Sequence, residues 1–291
     1  MRRVAEKLFT ERDDNMSKII DKIKKRNQTI KFNVENSVLN VAAKAAADTL
    51  CSPPDLSKAK RVLFVQPHPD DNEIGAGGTM AWLVSLGVEV WELTVLDDRY
   101  ANPDYIGREN EVETIRQKEA KAAQEFLGLK NAGFLGFADK TRASVDELSV
   151  AILKVIRRIQ PDYVITADPL LANECHSDHI KVGTAVKYAC MDSECNFYPE
   201  FVDGKLRDDA WKVKGVGYYY TDKPNTLVDI TAFEELKMES IKKHVSQADV
   251  GLLAGIRLQQ QIFAKGTPFK AAEPLRLQTA IQMHCFNLPV E

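Results

Sequence analysis

A chain of 291 residues with 44% hydrophobic and 28% charged side chains has the composition of an ordinary globular protein. It is long enough to bury a core without disulfide or metal staples. Its 39 basic and 42 acidic residues leave a net charge of −3, without the basic excess that marks a nucleic-acid binder. Cysteines at Cys51, Cys175, Cys190, Cys195 and Cys285 are odd in number and form no CxxC pair, a pattern that fits a reducing compartment better than a disulfide framework.

In chain order, MRRVAEKLFTERDDN has two arginines but no apolar stretch behind them, so it does not read as a signal peptide. No run approaches the ~18 apolar residues of a membrane span. The expected location is cytoplasmic, with no membrane partner. Residues 1–55 are expected to form a helical N-terminal extension. Ile19, Ile20 and Ile23 recur at helical spacing and VAAKAAADTL is rich in helix formers, until Ser52-Pro53-Pro54 breaks the pattern.

Residues 56–291 are expected to form the main domain. RVLFVQ (61–66) reads as a buried strand, 78–86 as a helix ended by Gly87, and VEVWELTVL (88–96) as the next strand. A helix is expected over 108–127, capped by Gly128, with Val112, Ile115, Ala122, Ala123 and Phe126 roughly on one face. Then come a strand at 132–137, a helix at 146–159 and a strand at 162–167 (DYVITA). Later, 216–221 and 227–230 read as strands joined like a hairpin through Lys223-Pro224-Asn225, and 231–246 as a helix. Strands separated by helices mean βαβ units, hence an α/β fold with a mostly parallel sheet flanked by helices.

In such sheets ligands bind outside the carboxyl ends of strands. Two strands end in polar clusters. One is Pro67-His68-Pro69-Asp70-Asp71; the other runs from Asp168-Pro169 to His176-Ser177-Asp178-His179. His68 and Asp71, at i, i+3 around a turn stiffened by Pro69, can point to one centre. An imidazole and a carboxylate suit Zn²⁺ or a similar divalent ion, and His179 can supply a third ligand. Three protein ligands leave an open position for water, whose pKa the metal lowers while polarising a carbonyl. Asp70, between the ligands, is the expected base for that water. His176, if protonated, would stabilise the oxyanion and assist the leaving group. These parts suffice for metal-assisted amide hydrolysis.

A competing pattern is Gly75-Ala76-Gly77-Gly78-Thr79 with Asp97 at the end of the next strand, which imitates a dinucleotide fingerprint. The acidic HPDD cluster would face the pyrophosphate, which argues against that reading. The glycines are expected instead to let the backbone pass close to the metal turn and to cap a helix with Thr79 in its first turn.

HPDDNEIGAGGT followed by HSDH resembles the LmbE/PIG-L-like family of zinc-dependent de-N-acetylases. Arg116-Gln117-Lys118-Glu119, Phe137-Ala138-Asp139 and Lys243-His244-Val245-Ser246-Gln247 resemble further family elements. DPLLANECHSDH, YYYTDKPNTLVDIT and His284 resemble the diacetylchitobiose deacetylases within it. The resemblance covers about 60–250 well, 250–291 loosely and the first 50 residues not at all. It implies a Rossmann-like (LmbE-like) fold and one Zn²⁺ per chain, another divalent metal being possible, on His68, Asp71 and His179. Asp70 would be the base and His176 the oxyanion-stabilising acid. Arg116 and Asp139 would touch the sugar, and His244 would orient the base or a ligand. His284 would reach the site of a neighbouring subunit, which implies a homo-oligomer, a trimer or hexamer.

The expected reaction is removal of acetyl from an N-acetylated amino sugar, a GlcNAc monomer or short chitooligosaccharide. The alternatives are a thiol-glycoside deacetylase or amidase, and a non-catalytic sugar- or nucleotide-binding module. Two departures from the family pattern stand out. Ser177 replaces a proline, and Leu96-Asp97-Asp98-Arg99-Tyr100 replaces a Thr-Asp-Gly-like turn.

Overall fold

A computed structural model describes residues 52–195, 200–202, 205–207 and 210–284. The expected helical extension over 1–55 lies outside the described residues except for 52–55. The buried run Arg61–Gln66 forms β1. After it come α1 (Asp71–Ser85), β2 (Glu89–Leu96), α2 (Glu109–Leu127), β3 (Lys130–Phe137), α3 (Val145–Ile159), β4 (Tyr163–Ala167) and α4 (Ser177–Asp192). A small hairpin, β5 (Glu200–Val202) and β6 (Lys205–Arg207), precedes β7 (Gly215–Tyr219) and β8 (Thr226–Asp229). The last elements are α5 (Glu234–Ile241), α6 (Val250–Ala264) and β9 (Ala272–Thr279).

Seven strands make one sheet in the order β3-β2-β1-β4-β7-β9-β8. The first five are parallel, and β9 runs antiparallel between β7 and β8. Period-two alternation sorts the core onto two faces. Leu63, Val65, Leu93 and Val164 point to the side where Leu148, Ile152 and Ile156 of α3 meet Val182, Ala185 and Val186 of α4. Val62, Phe64, Val90 and Ile165 point to the other side, against Met80 and Leu83 of α1. Strand order reverses between β1 and β4, so the crevice that binds ligands in such sheets lies beyond those two carboxyl ends.

Local chemistry sets the helix ends. Ser144 and Glu147 form a capping box at the start of α3, and Gly128 closes α2 at φ 73°. Three expectations change. The first helix begins at Asp71 rather than 78, with a kink at Ala76, so the glycines lie inside it. Their role is close approach: a Cβ on Gly75 would stand 2.3 Å from the Tyr219 ring, and one on Gly78 would stand 2.7 Å from Ile230. Gly75→Ala is therefore expected to lower stability by about 1–3 kcal/mol, visible as a reduced thermal midpoint; an unchanged midpoint would refute this packing argument.

The second change concerns β7 and β8, which are not hairpin partners. The Asn225 carboxamide donates to Leu277 O at 2.7 Å and accepts from Leu277 N at 2.8 Å, which fixes β9 between them. In the third, the helix expected over 231–246 is confined to Glu234–Ile241, and His244 lies in the turns after it. Among the described residues no helix is long and apolar enough to cross a membrane.

Candidate active site

Four strands end in residues with left-handed backbone. Asp70 follows β1 at φ 117°, Asp98 follows β2 at 56°, Lys140 lies beyond β3 at 55°, and Tyr220 follows β7 at 52°. Non-glycine residues seldom adopt such angles, at a cost of about 1–3 kcal/mol each, and they gather at functional sites. All four sit at the carboxyl rim of the parallel strands. Within the altered 96–100 loop Asp98 takes the left-handed conformation, which aspartate tolerates better than most residues. Gln66, at the end of β1, steadies the first turn, its Oε1 accepting from Asp70 N at 3.2 Å and Asn72 N at 3.1 Å.

The two His/Asp clusters meet. Asp71 Oδ2 lies 3.4 Å from His68 Nδ1, and Asp71 Oδ1 lies 3.4 Å from His179 Nε2. His176 stacks on His179 with ring centroids 4.6 Å apart and stands edge-on to His68 at 4.7 Å. The second ring nitrogen of His68 faces Asp139 at 3.3 Å and Asp178 at 3.6 Å. Ligand atoms of His68, His176 and His179 lie within 4.8 Å of one another, as do those of His68, Asp98 and Asp139.

This cage fits a divalent cation. His68 Nε2 and His176 Nδ1 are buried without a hydrogen-bond partner. Burial disfavours the charged His68 imidazole, yet Asp139, Asp178 and Asp71 hold its pKa well above the ordinary value. An acid-rich cage that draws a proton in this way suits a metal cation equally, and imidazole with carboxylate is the donor set of zinc-like ions. Burial also opposes ionisation of Asp71, but His179 and His68 keep it at about 2.

Behind this layer, Arg116 of α2 is only 1% exposed. Its guanidinium donates to Asp98 at 2.6 Å, Glu119 at 2.9 Å and Asp70 at 2.8 Å, and also to Pro69 O. The family resemblance implies that Arg116 touches the sugar. The structure encloses its guanidinium among these partners, the Asp70 carboxylate included. Burial, with Asp71 and Asp98 nearby, pushes the Asp70 carboxyl up to about 7 against the pull of Arg116 and His244.

His244 is fully buried. Its Nδ1 lies 3.5 Å from Arg116 Nη1, and Ser246 binds both oxygens of Glu119 at 2.7 Å. The late HVSQ element is linked in this way to Arg116, which donates to Asp70. Burial and Arg116 keep the His244 pKa low, which leaves Nδ1 able to accept.

Burial, His68, His179 and Lys140 lower the His176 pKa. Lys140 Nζ stands 3.1 Å from His176 Nε2. Asp139 is buried against His68, which holds its carboxyl well below the usual range despite burial. His284 is not brought to the cluster. It follows β9, whose Thr279 pairs with Gly215 at the start of β7, so it lies at the opposite end of the sheet.

Sequence reading missed Glu174, which accepts from His179 Nδ1 at 2.9 Å and from His176 N at 2.6 Å. A carboxylate on one imidazole nitrogen turns the other toward a metal, and a glutamate five residues before a candidate ligand was the available signal. It also missed a buried acidic pair, Glu73 and Glu92, which burial raises to about 7 and about 8. Glu92 accepts from Asn72 at 3.1 Å and Gln124 at 2.8 Å.

The sign of the Glu92 effect is fixed by its raised folded pKa. Its stabilising contribution is complete below the ordinary 4.5 and is lost as pH rises through about 8. Glu92→Gln removes this dependence. The Asn72 Oδ1, now unpartnered, can turn to accept the new amide. The variant should gain on the order of 3 kcal/mol over the parent between pH 5 and pH 9, read from thermal midpoints at both values. A gain equal at the two pH values would contradict the assignment.

A profile of the PIG-L family, described as GlcNAc-PI de-N-acetylase, matches residues 63–190. Diacetylchitobiose deacetylase of Thermococcus kodakarensis is 34% identical over 233 residues, 77% of this chain and 85% of that protein. A probable N-acetyl-α-D-glucosaminyl L-malate deacetylase 2 of Bacillus cereus is 36% identical over 199 residues, 66% of this chain and 86% of its own length. The solved structure of N,N'-diacetylchitobiose deacetylase from Pyrococcus horikoshii with its inhibitor MPG superposes with a TM-score of 0.75 at 28% identity, covering 87% of this chain and 97% of that one. The motifs, the sheet order and these likenesses agree, and the chain belongs to the PIG-L (LmbE-like) family of de-N-acetylases.

Proposed function

We propose that this protein is a metal-dependent hydrolase that removes the acetyl group from an N-acetylated amino sugar, a GlcNAc unit or a short chitooligosaccharide such as diacetylchitobiose. The observation that carries this reading is the convergence of His68, Asp71 and His179 beside a strained Asp70 at the sheet's switch point. His68, Asp71 and His179 would hold one Zn²⁺. A bound ion of this kind polarises an amide carbonyl and acidifies water. Asp70, with a carboxyl near neutrality and Arg116 behind it, accepts the proton of the attacking water. His176, backed by Lys140, faces the developing oxyanion and passes a proton toward the leaving amine. Asp139 supplies a carboxylate to a sugar hydroxyl, and Glu174 keeps His179 oriented.

His284 would serve the site of a second copy in a homo-oligomer, a trimer or hexamer, since its own site is at the far end of the sheet. Residues 1–55 would be an accessory helical element of that assembly, and the protein would work in the cytoplasm.

An acetate assay over acetylated amino sugars tests the proposal. Zinc-loaded protein should release acetate from GlcNAc or diacetylchitobiose. Release only from thiol-glycoside amides would move the substrate and keep the chemistry. No release from any acetylated amino sugar would overturn the reading.

A further inference from the structure

Beside the candidate site lies a cavity of about 490 Å³, within the ~300–1,000 Å³ of small-molecule sites. His179 and Glu174 line it on the catalytic side, Leu171 and Asn173 line it from the loop after β4, and Gln260 and Phe263 line it from α6. Gln260 is 2% exposed, and neither end of its carboxamide has a hydrogen-bond partner. A buried amide with two donors and two acceptor lone pairs is rarely left unpaired.

We infer that this cavity is a subsite for a second pyranose ring of the substrate, with Gln260 as the residue that reads its hydroxyls. The inference rests on the deacetylase reading above. Sugar hydroxyls both donate and accept, so one carboxamide can meet two of them. Phe263 offers an apolar face to the C–H face of a ring. The buried charges nearby are already matched: Lys237 Nζ lies 2.6 Å from Glu273, which also accepts from Gly78 N and Thr79. A neutral, hydroxyl-rich ligand therefore suits the cavity better than a charged one.

The test is selectivity. With zinc-loaded protein, kcat/KM for diacetylchitobiose is divided by that for GlcNAc. Gln260→Leu should lower this ratio about tenfold or more, mainly through KM for the disaccharide, and Phe263→Ala, at a half-buried position, should lower it in the same direction. A ratio within twofold of the parent in both variants overturns the subsite, as does an equal loss on both substrates, which would mark Gln260 as structural.

A second arm needs no turnover. Calorimetric titration with cellobiose, a neutral disaccharide with no amide to cleave, should show binding to the parent protein and weaker binding to Gln260→Leu. If the parent releases acetate from neither sugar, the deacetylase reading fails, and the titration alone decides the subsite. No cellobiose binding by the parent overturns it.

Discussion

Asp70→Asn is expected to lower acetate release about a thousandfold, within the ~10²–10⁴-fold that general-base catalysis contributes, while the metal stays bound. The amide keeps the side chain's size and an oxygen for Arg116, which now donates to Asp70 at 2.8 Å. It removes the negative charge and the ability to take a proton. Asp70 is suited to that task because burial lifts its carboxyl to about 7, close to the pH at which a base must accept and release protons. Its backbone is held at φ 117° by Gln66 on one side and Arg116 on the other, so the carboxylate has little freedom to turn away. Acetate release and elemental analysis on the same preparation separate the outcomes. Activity within tenfold of the parent would remove Asp70 as base, and loss of metal would make it a ligand.

His68→Ala should abolish both metal retention and turnover. His68 is the one imidazole common to both clusters of candidate ligand atoms among the described residues, facing His176 and His179 in one and Asp98 and Asp139 in the other. It also contacts Asp71 at 3.4 Å. Its loss leaves Asp71, Asp139 and Asp178 grouped around a space without the imidazole that offsets their charge. Glu174→Ala should act more weakly, lowering metal affinity about 10- to 100-fold, as removal of a carboxylate that orients a ligand does. Equilibrium dialysis against buffered zinc reads both variants. Parent-like affinity in His68→Ala would place the metal elsewhere.

The parallel half of the sheet was legible because its strands are short apolar runs between amphipathic helices. β1 is buried along almost its whole length, and α3 carries Leu148, Ile152 and Ile156 on one face. β9 was not legible. Pro274 interrupts it, and Glu273 is a carboxylate in the core, tolerated because Lys237, Thr79 and two backbone amides meet it. Without β9, the strands β7 and β8 looked like a hairpin.

The two His/Asp clusters that meet in the fold were legible from spacing, since His68 and Asp71 share one turn and His176 and His179 lie at the start of one helix. The residues behind them were not. Nothing in the spacing of Asp98, Glu119, Glu73 and Glu92 marks them as neighbours until the fold brings Arg116 and His244 near them. Arg116 shows the limit most clearly: its motif places it near the site, but only the tertiary packing shows its guanidinium enclosed among Asp70, Asp98, Glu119 and Pro69 O.

Acetate release from diacetylchitobiose by protein stripped of metal and then titrated with zinc decides whether metal held by this cage drives amino-sugar deacetylation. Stripped protein should release none, and activity should rise to a plateau at one zinc per chain. Equal release before and after stripping would contradict this.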